Sequence, residues 1–271
     1  MSIDLEGYFR RIGYAGDRGA TLETLRALHA LHPRAIPFEN LDPLLGRPAR
    51  LDLASLQDKL VRVGRGGFCF EQNTLFRHVL DTLGFRSIGL GARVLWMLPE
   101  SGPVPPRSHM LLLLAVAGES YIADVGFGGI TLTAPLRLAT NVEQDTPHET
   151  FRIVEGGDDY VVQARLHDSW KPLYRFDLRQ QFPADYEITN WYHSTSPFSQ
   201  FTQDLIAARA AADRRYVLRN RDFTVHHRDG RAERRVLRNA TELRDVLAGP
   251  FGLTLPDGAD AVLQRLMVDA A

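Results

Sequence analysis

Residues 64–73 read Gly-Arg-Gly-Gly-Phe-Cys-Phe-Glu-Gln-Asn and contain Cys69, the only cysteine of this 271-residue chain. The apolar residues that follow recur with a helical period and stop at Gly84, a residue type that commonly ends helices. The sequence therefore predicts a buried helix with Cys69 in its first turn. Because the unpaired N–H groups and the dipole at a helix N-terminus favour an anion, we expect Cys69 to react as a thiolate.

A single cysteine is more often an inert buried residue than a nucleophile. The glycine-rich turn before Cys69 and its position at a helix start favour the nucleophile here. A nucleophilic cysteine also needs a base, and the base needs a group that orients it. The chain must therefore bring a histidine and a carboxylate to Cys69 if the residue is catalytic.

The overall composition excludes several classes of protein. The chain has 32 Lys and Arg against 33 Asp and Glu, so it carries no general charge for nucleic acid or membrane surfaces. One cysteine rules out an internal disulfide and predicts a cytoplasmic protein. We expect no membrane segment and no secretory signal, because no apolar run reaches about 20 residues and the start lacks a basic and an apolar region.

The first third of the sequence predicts helices. Asp4 is placed to cap a short helix, Thr21 to begin a second that ends before Pro33, and Asp52 to begin a third that leads into the glycine-rich turn.

Two features of this region remain outside the helical pattern. His29 and His32 lie on or beside a leucine face, where surface or capping roles are more common than catalysis. Residues 36–43 contain two prolines and predict an extended loop. That loop either serves packing alone or places Phe38 in the wall of a pocket.

A hairpin predicted in the middle of the chain brings a histidine and an aspartate together. Residues 108–116 and 121–129 flank a turn at 117–120. Paired positions in a tight hairpin there sum to an odd number, so His109 and Asp124 project from the same face, on a diagonal of about 7–8 Å. Asp124 lies among apolar residues, where a carboxylate needs a partner. That partner is either the backbone of the glycine turn at 126–129 or His109, and together with Cys69 the second favours a Cys–His–Asp triad.

The rest of the sequence predicts a mixture of strands and helices. Residues 150–176 contain short strands joined by glycine turns, typical of a small antiparallel barrel or sandwich. His226 and His227 suggest a metal, but no cluster at ligand spacing accompanies them, and we predict no metal site. The arginines of residues 214–238 form a solvated face or meet a phosphate-bearing cofactor.

These motifs resemble those of the arylamine N-acetyltransferases. The resemblance rests on segments that occur in the family's order and spacing: Arg-Gly-Gly-Phe-Cys-Phe-Glu at 65–71, Pro-Phe-Glu-Asn-Leu at 37–41, Ser108-His109, Asp-Val-Gly-Phe-Gly at 124–128 and Asn-Trp-Tyr at 190–192. It implies an α+β fold around a core like that of the cysteine proteases. The implied parts are an N-terminal helical bundle at 1–85, a central antiparallel β-barrel at 86–183, an interdomain helix and loop at 184–204, and a C-terminal α/β lid at 205–271.

The resemblance also implies an activity, which is the acetyl-CoA-dependent N-acetylation of arylamines, arylhydrazines and hydrazides in xenobiotic metabolism. The mechanism would be ping-pong through an acetyl-cysteine. By motif match, Cys69 is the nucleophile, His109 its base and Asp124 the orienting carboxylate. The partners implied are acetyl-CoA and a small amine or hydrazine, and the family is compatible with a homodimer.

Substrate contacts are implied in the same way. The acceptor pocket would be lined by Phe38, Phe70, Phe127 and Phe198. Gly126 and Gly128 would let the pantetheine arm of acetyl-CoA approach the backbone.

Three alternatives remain open from the sequence. The same triad serves amide synthases of natural-product biosynthesis and thiol amidohydrolases such as the papain-like proteases. Outside enzymes, the chain could be a binding module in which Cys69 is a packed thiol.

Overall fold

The structure is a computed structural model that describes residues 2–99 and 101–268. Helix α1, Leu5–Ile12, begins after Asp4, whose carboxylate accepts the N–H of Gly7. Helix α2, Leu22–Ala35, begins after Thr21 as predicted but continues through Pro33, so its predicted end was wrong. Pro33 has no N–H to donate to the carbonyl of His29, but the helix does not end there, and the N–H of Ile36 closes the last turn onto the carbonyl of His32.

The helix that begins at Cys69 has the predicted limits. Helix α5 is Cys69–Thr82, and Gly84 beyond it has a left-handed φ of +89°. Before it lie α3, Leu41–Leu44, and α4, Leu53–Leu56, which Asp52 caps. A π-helical turn continues α4 over Gln57–Arg62. The remaining helices are α6, Pro183–Thr195, α7, Gln200–Gln203, α8, Ala240–Ala248, and α9, Ala259–Val268.

An antiparallel sheet with the order β5-β4-β3-β2-β9-β8-β7-β6 curls into a nearly closed barrel. Its strands are β2, Arg86–Val94, β3, Arg107–Val116, β4, Glu119–Ala123, β5, Leu136–Arg137, β6, Glu143–Asp145, β7, Thr150–Glu155, β8, Tyr160–Leu166, and β9, Ser169–Gln181. The side-chain amide of Gln144 on β6 bridges to β5, where it accepts the N–H of Arg137 at 2.7 Å and donates to the carbonyl of Arg137 at 3.0 Å. One side chain thus joins the two edge strands.

Strand β3 is buried on both faces, as its continuous apolar sequence predicts. Met110, Leu112 and Leu114 pack with the N-terminal helices, whereas Leu111 belongs to the core inside the barrel. His109 shares the parity of Leu111, so its imidazole lies on the barrel side of the strand.

A second antiparallel sheet has the order β1-β10-β11-β12-β13 and packs with α8 and α9 over its own hydrophobic core. Its strands are β1, Phe38–Glu39, β10, Ile206–Ala210, β11, Arg214–Arg219, β12, Asp222–His227, and β13, Ala232–Val236. Because β1 comes from the N-terminal region, this sheet ties the two ends of the chain together. The predicted α+β fold is confirmed. In the described ranges 2–99 and 101–268, every helix is too short or too polar to cross a bilayer.

Candidate active site

Cys69 is the first residue of α5, and close backbone packing holds it there. A side chain on Gly66 would lie 2.0 Å from the carbonyl oxygen of Pro37, so only glycine lets this turn pass β1. Glu71 caps the helix by accepting the N–H of Phe68 at 3.0 Å. The thiol is buried, and its Sγ lies 3.8 Å from the carbonyl oxygen of Ser108, the residue before His109.

A buried charge network supports the start of α5 from behind. The ammonium of Lys59 lies 2.7 Å from carboxylate oxygens of both Glu71 and Asp42. The guanidinium of Arg65 lies 2.8 Å from Glu39 and 3.0 Å from Asp42. Burial raises the pKa of Glu71 to about 7, although Lys59 opposes the shift. The turn before Cys69 is therefore fixed at both ends by ion pairs.

His109 and Asp124 meet as the hairpin predicts. Leu112 pairs with Ala123 at the end of β4, so Asp124 follows the last pair and lies diagonal to His109. The Nε2 of His109 is 2.7 Å from Oδ2 of Asp124, and both side chains are buried. Nδ1 of the imidazole is left for the thiol of Cys69.

Both partners that the sequence offered for Asp124 are present. In addition to His109 on Oδ2, the carboxylate accepts the amide of Asn73 and the N–H of Gly126 on Oδ1, each at 3.0 Å. Its backbone N–H donates to Nε2 of His29 at 3.1 Å, and its backbone carbonyl accepts the hydroxyl of Thr131 at 3.3 Å. Each polar atom of Asp124 therefore has a partner.

These contacts hold the pair in its charged form. Burial lowers the pKa of His109, but the charge and hydrogen bond of Asp124 and the contact with Cys69 outweigh it and raise the pKa to about 10. Burial raises the pKa of Asp124, but His109 and the amide of Asn73 bring it below its ordinary value. At neutral pH the pair is an imidazolium beside a carboxylate, which places a positive charge next to the sulfur of Cys69.

Asn73 is a site residue that the sequence reasoning missed. It lies one helical turn after Cys69, donates to Asp124 and to the carbonyl of Met110 at 2.8 Å, and accepts the N–H of Val125 at 3.0 Å. It therefore links the cysteine helix to both strands of the hairpin. Its spacing of four from Cys69 is the one signal in the sequence that could have identified it.

The predicted surface or capping roles of His29 and His32 were wrong, because both imidazoles are fully buried. His32 donates from Nε2 to the side chain of Gln72 at 2.7 Å and accepts the hydroxyl of Tyr8 at 2.8 Å. Burial lowers the pKa of His29 to about 4 and that of His32 to about 3, so both stay neutral at pH 7. They are structural supports of α5 and Asp124.

Aromatic residues flank Cys69 in the sequence, and another aromatic ring packs against His109. The ring centroid of Phe127 lies 5.2 Å from that of His109, and the ring of Phe70 lies 5.6 Å from that of Tyr186. Phe68, the residue just before α5, has its ring centroid 6.1 Å from that of Phe70.

Phe198 does not join this cluster as predicted, because its side chain is 84% exposed. Phe201, three residues later in α7, occupies that side instead. Its ring lies 5.9 Å from Phe38, 5.3 Å from Phe68 and 5.0 Å from His193. We therefore replace Phe198 with Phe201 in the aromatic set. Phe198 itself projects from the turn between α6 and α7, where no helical constraint directs it inward.

The two predicted cofactor glycines differ in their surroundings. A side chain on Gly126 would lie 2.8 Å from Cα of Cys69, so the absent side chain makes room for α5. Gly128 has a left-handed φ of +92°, and a side chain there would lie 3.7 Å from the ring of Phe38. The described residues contain no group of three or more His, Cys, Asp or Glu side chains that could hold a metal.

Comparisons with known proteins agree with this geometry. A family model described as N-acetyltransferase matches residues 21–260. The chain is 44% identical over 260 residues to an arylamine N-acetyltransferase of Mycobacterium bovis, covering 95% of this chain and 92% of the relative. The enzyme of that name from Escherichia coli is 44% identical over 259 residues, covering 95% and 91%.

Solved structures of such enzymes superpose closely. The arylamine N-acetyltransferase of Mycobacterium marinum gives a TM-score of 0.94 at 41% identity, covering 97% of this chain and 98% of that chain. Its structure in complex with CoA gives a TM-score of 0.93 with the same identity and coverage. With a family match and relatives that span nearly its whole length, this chain belongs to the arylamine N-acetyltransferase family.

Proposed function

We propose that this protein transfers the acetyl group of acetyl-CoA to arylamines, arylhydrazines and hydrazides through an acetyl-Cys69 intermediate. The observation that carries the proposal is the buried imidazolium of His109, held by Asp124 next to the only thiol in the chain. Relatives named for this reaction, and a homologous structure with CoA, support the choice of substrates.

In the first half-reaction, the Cys69 thiolate attacks the thioester carbonyl of acetyl-CoA. The helix N-terminus and the His109 imidazolium stabilise the thiolate, and the backbone N–H of Cys69 is a donor for the oxyanion. A bond forms between Cys69 Sγ and the carbonyl carbon, and the bond from that carbon to the CoA sulfur breaks. The CoA sulfur takes a proton from Nδ1 of His109, which leaves His109 neutral.

In the second half-reaction, the amine attacks the acetyl-Cys69 carbonyl. Arylamines and hydrazides are weak bases and are neutral at pH 7, so their nitrogen lone pair is free to attack. His109 accepts the amine proton as the adduct collapses, which restores the imidazolium and the thiolate. Donor and acceptor use the same sulfur in turn, which gives ping-pong kinetics.

The acceptor fits the aromatic set around the thiol. Phe70 follows Cys69 directly, and Phe127 packs edge-on against His109. Phe201 contacts both Phe38 and Phe68, the residue before Cys69. Flat aromatic acceptors gain from offset or edge contacts with such rings. Gly126 and Gly128 remain our proposed backbone contacts for the pantetheine arm.

Mass spectrometry of the intact protein after incubation with acetyl-CoA alone tests the proposal. We expect a mass increase of one acetyl group, located on Cys69 and lost when an arylamine is added. Reciprocal plots of the initial rates, measured at several fixed concentrations of the second substrate, should give parallel lines. Intersecting lines without an acyl-enzyme would contradict the mechanism, and loss of the acetyl group to water with no transfer to any amine would indicate a hydrolase instead.

Further parts of the proposal concern biological setting and assembly. We propose a cytoplasmic enzyme of xenobiotic metabolism that forms a homodimer, with segments at 1–85, 86–183, 184–204 and 205–271. The last two boundaries lie near the gaps between β9 and α6 and between α7 and β10. Light scattering of the purified protein tests the dimer.

A further inference from the structure

Ser108, the residue before His109, is the extra residue of a β-bulge. Ala92 of β2 lies opposite His109, and the next residue of β2 lies opposite Arg107. Ser108 therefore has no partner on β2. Because a bulge bends its strand and changes the direction of the side chains beside it, the orientation of the His109 imidazole depends on how this bulge is held.

The carbonyl oxygen of Ser108 has two neighbours in the site. Sγ of Cys69 lies 3.8 Å from it, and Nε2 of His193 on α6 lies 3.2 Å from it. Burial lowers the pKa of His193, so its imidazole is neutral at pH 7. Since a carbonyl oxygen can only accept, the one ring proton of His193 is on Nε2 and is donated to Ser108.

This hydrogen bond also affects the sulfur of Cys69. As a thiol, Cys69 can donate to the Ser108 oxygen, whereas a thiolate cannot donate and is repelled by the negative end of the carbonyl dipole. An N–H from His193 that already occupies the oxygen weakens both effects. The contact therefore favours the thiolate that attacks acetyl-CoA.

Helix α6 is fixed to the rest of the molecule around His193. The side chain of Asn190 donates to the carbonyl of Ala49 at 2.8 Å, and the N–H of Ala49 donates to the hydroxyl of Ser194 at 3.2 Å. The hydroxyl of Ser199 donates to the backbone carbonyl of His193 at 2.9 Å. The helix can therefore serve as a firm support for the bulge.

The imidazole of His193 also packs among aromatic rings. Its ring centroid lies 5.0 Å from that of Phe201, 6.0 Å from that of Phe70 and 6.3 Å from that of Phe68. A role as part of the acceptor pocket would need only the ring. A role in holding Ser108 needs the N–H, so the two roles can be separated by experiment.

We propose that His193 is a positioning residue for acyl transfer: its Nε2–H holds the carbonyl of Ser108 and so fixes the bulge that directs His109 towards Cys69. This inference rests on the proposed function. His193 neither gains nor loses a proton in this role.

Two substitutions separate the donor from the ring. His193→Gln keeps an N–H donor near the position of Nε2 and removes the ring, whereas His193→Phe keeps a ring and removes the donor. For His193→Phe we expect the rate constant for acetylation of Cys69 at saturating acetyl-CoA to fall about tenfold, the loss of one hydrogen bond. KM for an arylamine should change less than about threefold, and His193→Gln should keep at least about a third of the wild-type rate.

The matched control is His148→Phe. His148 also donates from Nε2 to a backbone carbonyl, that of Ala211 at 2.8 Å, but this bond joins the loop before β7 to the loop after β10. His148→Phe should lower the free energy of unfolding and change the acetylation rate by less than about twofold. Should His193→Phe fail to fold, His193→Leu removes the donor with a smaller side chain.

Alkylation of the resting enzyme by iodoacetamide tests the contact without an acetyl donor. Cys69 is the only cysteine, so the reaction reports on its thiolate alone. Alkylation at pH 7 should be slower in His193→Phe and close to wild type in His193→Gln and the control. The carbonyl ¹³C resonance of Ser108 should move upfield in His193→Phe, because a hydrogen bond to a carbonyl oxygen deshields its carbon.

The inference and the proposed function can fail separately. A folded His193→Phe with the wild-type acetylation rate, or a folded His193→Gln as slow as His193→Phe, would overturn the role of the N–H. A rise in KM for the arylamine without a slower acetylation would assign His193 to the acceptor pocket and overturn it as well. Absence of an acetyl-Cys69 intermediate in the wild-type protein would overturn the proposed function itself, whereas alkylation would still test the hydrogen bond.

Discussion

Asp124 is the residue at which the separate segments of the chain meet. Its polar atoms contact His29 of α2, Asn73 of α5, His109 of β3 and the backbone of its own turn. Asn73 and the N–H of Gly126 both donate to Oδ1, whereas His109 contacts Oδ2. The side chain therefore has little freedom to rotate, which fixes the imidazole and so the position of Nδ1 near Cys69.

Replacement of Asp124 by Asn should abolish most activity while the protein stays folded. The carbonyl oxygen of the substituted side chain can still accept from Asn73 and Gly126, which turns its NH2 group toward His109. His109 must then accept at Nε2 and carry its proton on Nδ1, so it cannot take the proton of Cys69. We expect kcat to fall by about 10⁴-fold, as tautomer reversal does in related triads.

The control for this change is Asp229→Asn, in an exposed turn where Asp229 pairs with its neighbour Arg231. It should leave activity intact. Alkylation of Cys69 by iodoacetamide should be slow in Asp124→Asn and fast in the control. A folded Asp124→Asn enzyme with wild-type acetylation would contradict the assignment of the triad.

The stability of the protein should depend on the protonation of His109. Since the folded state raises the pKa of His109 from 6.5 to about 10, the folded protein holds a proton that the unfolded chain releases. The resulting stabilisation is complete below about pH 6.5 and is lost as pH rises towards 10.

Urea denaturation of the wild-type protein and of His109→Gln at pH 6, 8 and 10 measures this effect. The difference in free energy of unfolding between the two should shrink as pH rises. A difference that stays constant or grows over this range would show that His109 is not held as an imidazolium.

At the scale of elements, the packing of the turn after β4 against the first turn of α5 positions the catalytic residues. The backbone of Gly126 lies so close to the first turn of α5 that the space of a side chain is already filled by Cys69 and Asn73. Asp124 and Cys69 are thus positioned by direct packing of a loop on a helix.

Gly126→Ala should therefore impair catalysis, and Gly118→Ala should not. An alanine at Gly126 would push the turn away from α5, and we expect a loss of at least tenfold in kcat and of about 1–3 kcal/mol in stability. Gly118, at the tip of the same hairpin, has a left-handed φ of +83° and open space around it, so alanine there costs only about 1–2 kcal/mol of backbone strain.

Acetylation rates and denaturation curves of both variants provide the measurement. If Gly118→Ala lost as much activity as Gly126→Ala at equal stability, the loss would come from destabilisation of the hairpin. It would then not come from the packing of Gly126 on α5.

Much of this local structure could be predicted from sequence because it depends on near neighbours. The start of α5 at Cys69 follows from the glycine turn and the helical period, and the meeting of His109 with Asp124 follows from hairpin parity. The continuation of α2 through Pro33 was missed because tertiary packing outweighs the local preference.

The supporting residues could not be predicted, because their contacts join distant parts of the chain. His29 reaches Asp124 across 95 positions, and the ring of Tyr174 meets His109 only because the barrel curls. Phe201 and Phe198 lie in one short segment, and nothing in their local sequence decides which ring turns inward.

On the scale of the whole molecule, Asn40 joins the N-terminal region to the C-terminal sheet. Its buried amide donates to the carbonyls of Phe201 at 2.9 Å and Asp204 at 2.7 Å, and accepts the N–H of Ile206 at 2.7 Å. The same connection fixes the backbone of Phe201, one of the proposed acceptor contacts.

Asn40→Ala should weaken both the fold and acceptor binding. Three backbone groups lose their partner, so we expect a loss of about 2–4 kcal/mol in the free energy of unfolding. KM for an arylamine should rise more than KM for acetyl-CoA, because Phe201 is released. Asn40→Asp keeps an oxygen that accepts the N–H of Ile206. Its free energy of unfolding should therefore lie between those of Asn40→Ala and the wild-type protein. Equal stability of Asn40→Ala and the wild-type protein would contradict this role.

The Gln144 bridge gives the barrel a seam that two side-chain hydrogen bonds close. The other neighbouring strands of the barrel are paired by backbone hydrogen bonds, so amide protons beside this seam should exchange with solvent before those of the opposite wall. Strand β5 separates the seam from β4 and β3. Transient opening of the seam therefore leaves the pairing of β3 with β4 intact, and with it the contact between His109 and Asp124. The barrel can thus open between β5 and β6 while the catalytic residues keep their relative positions.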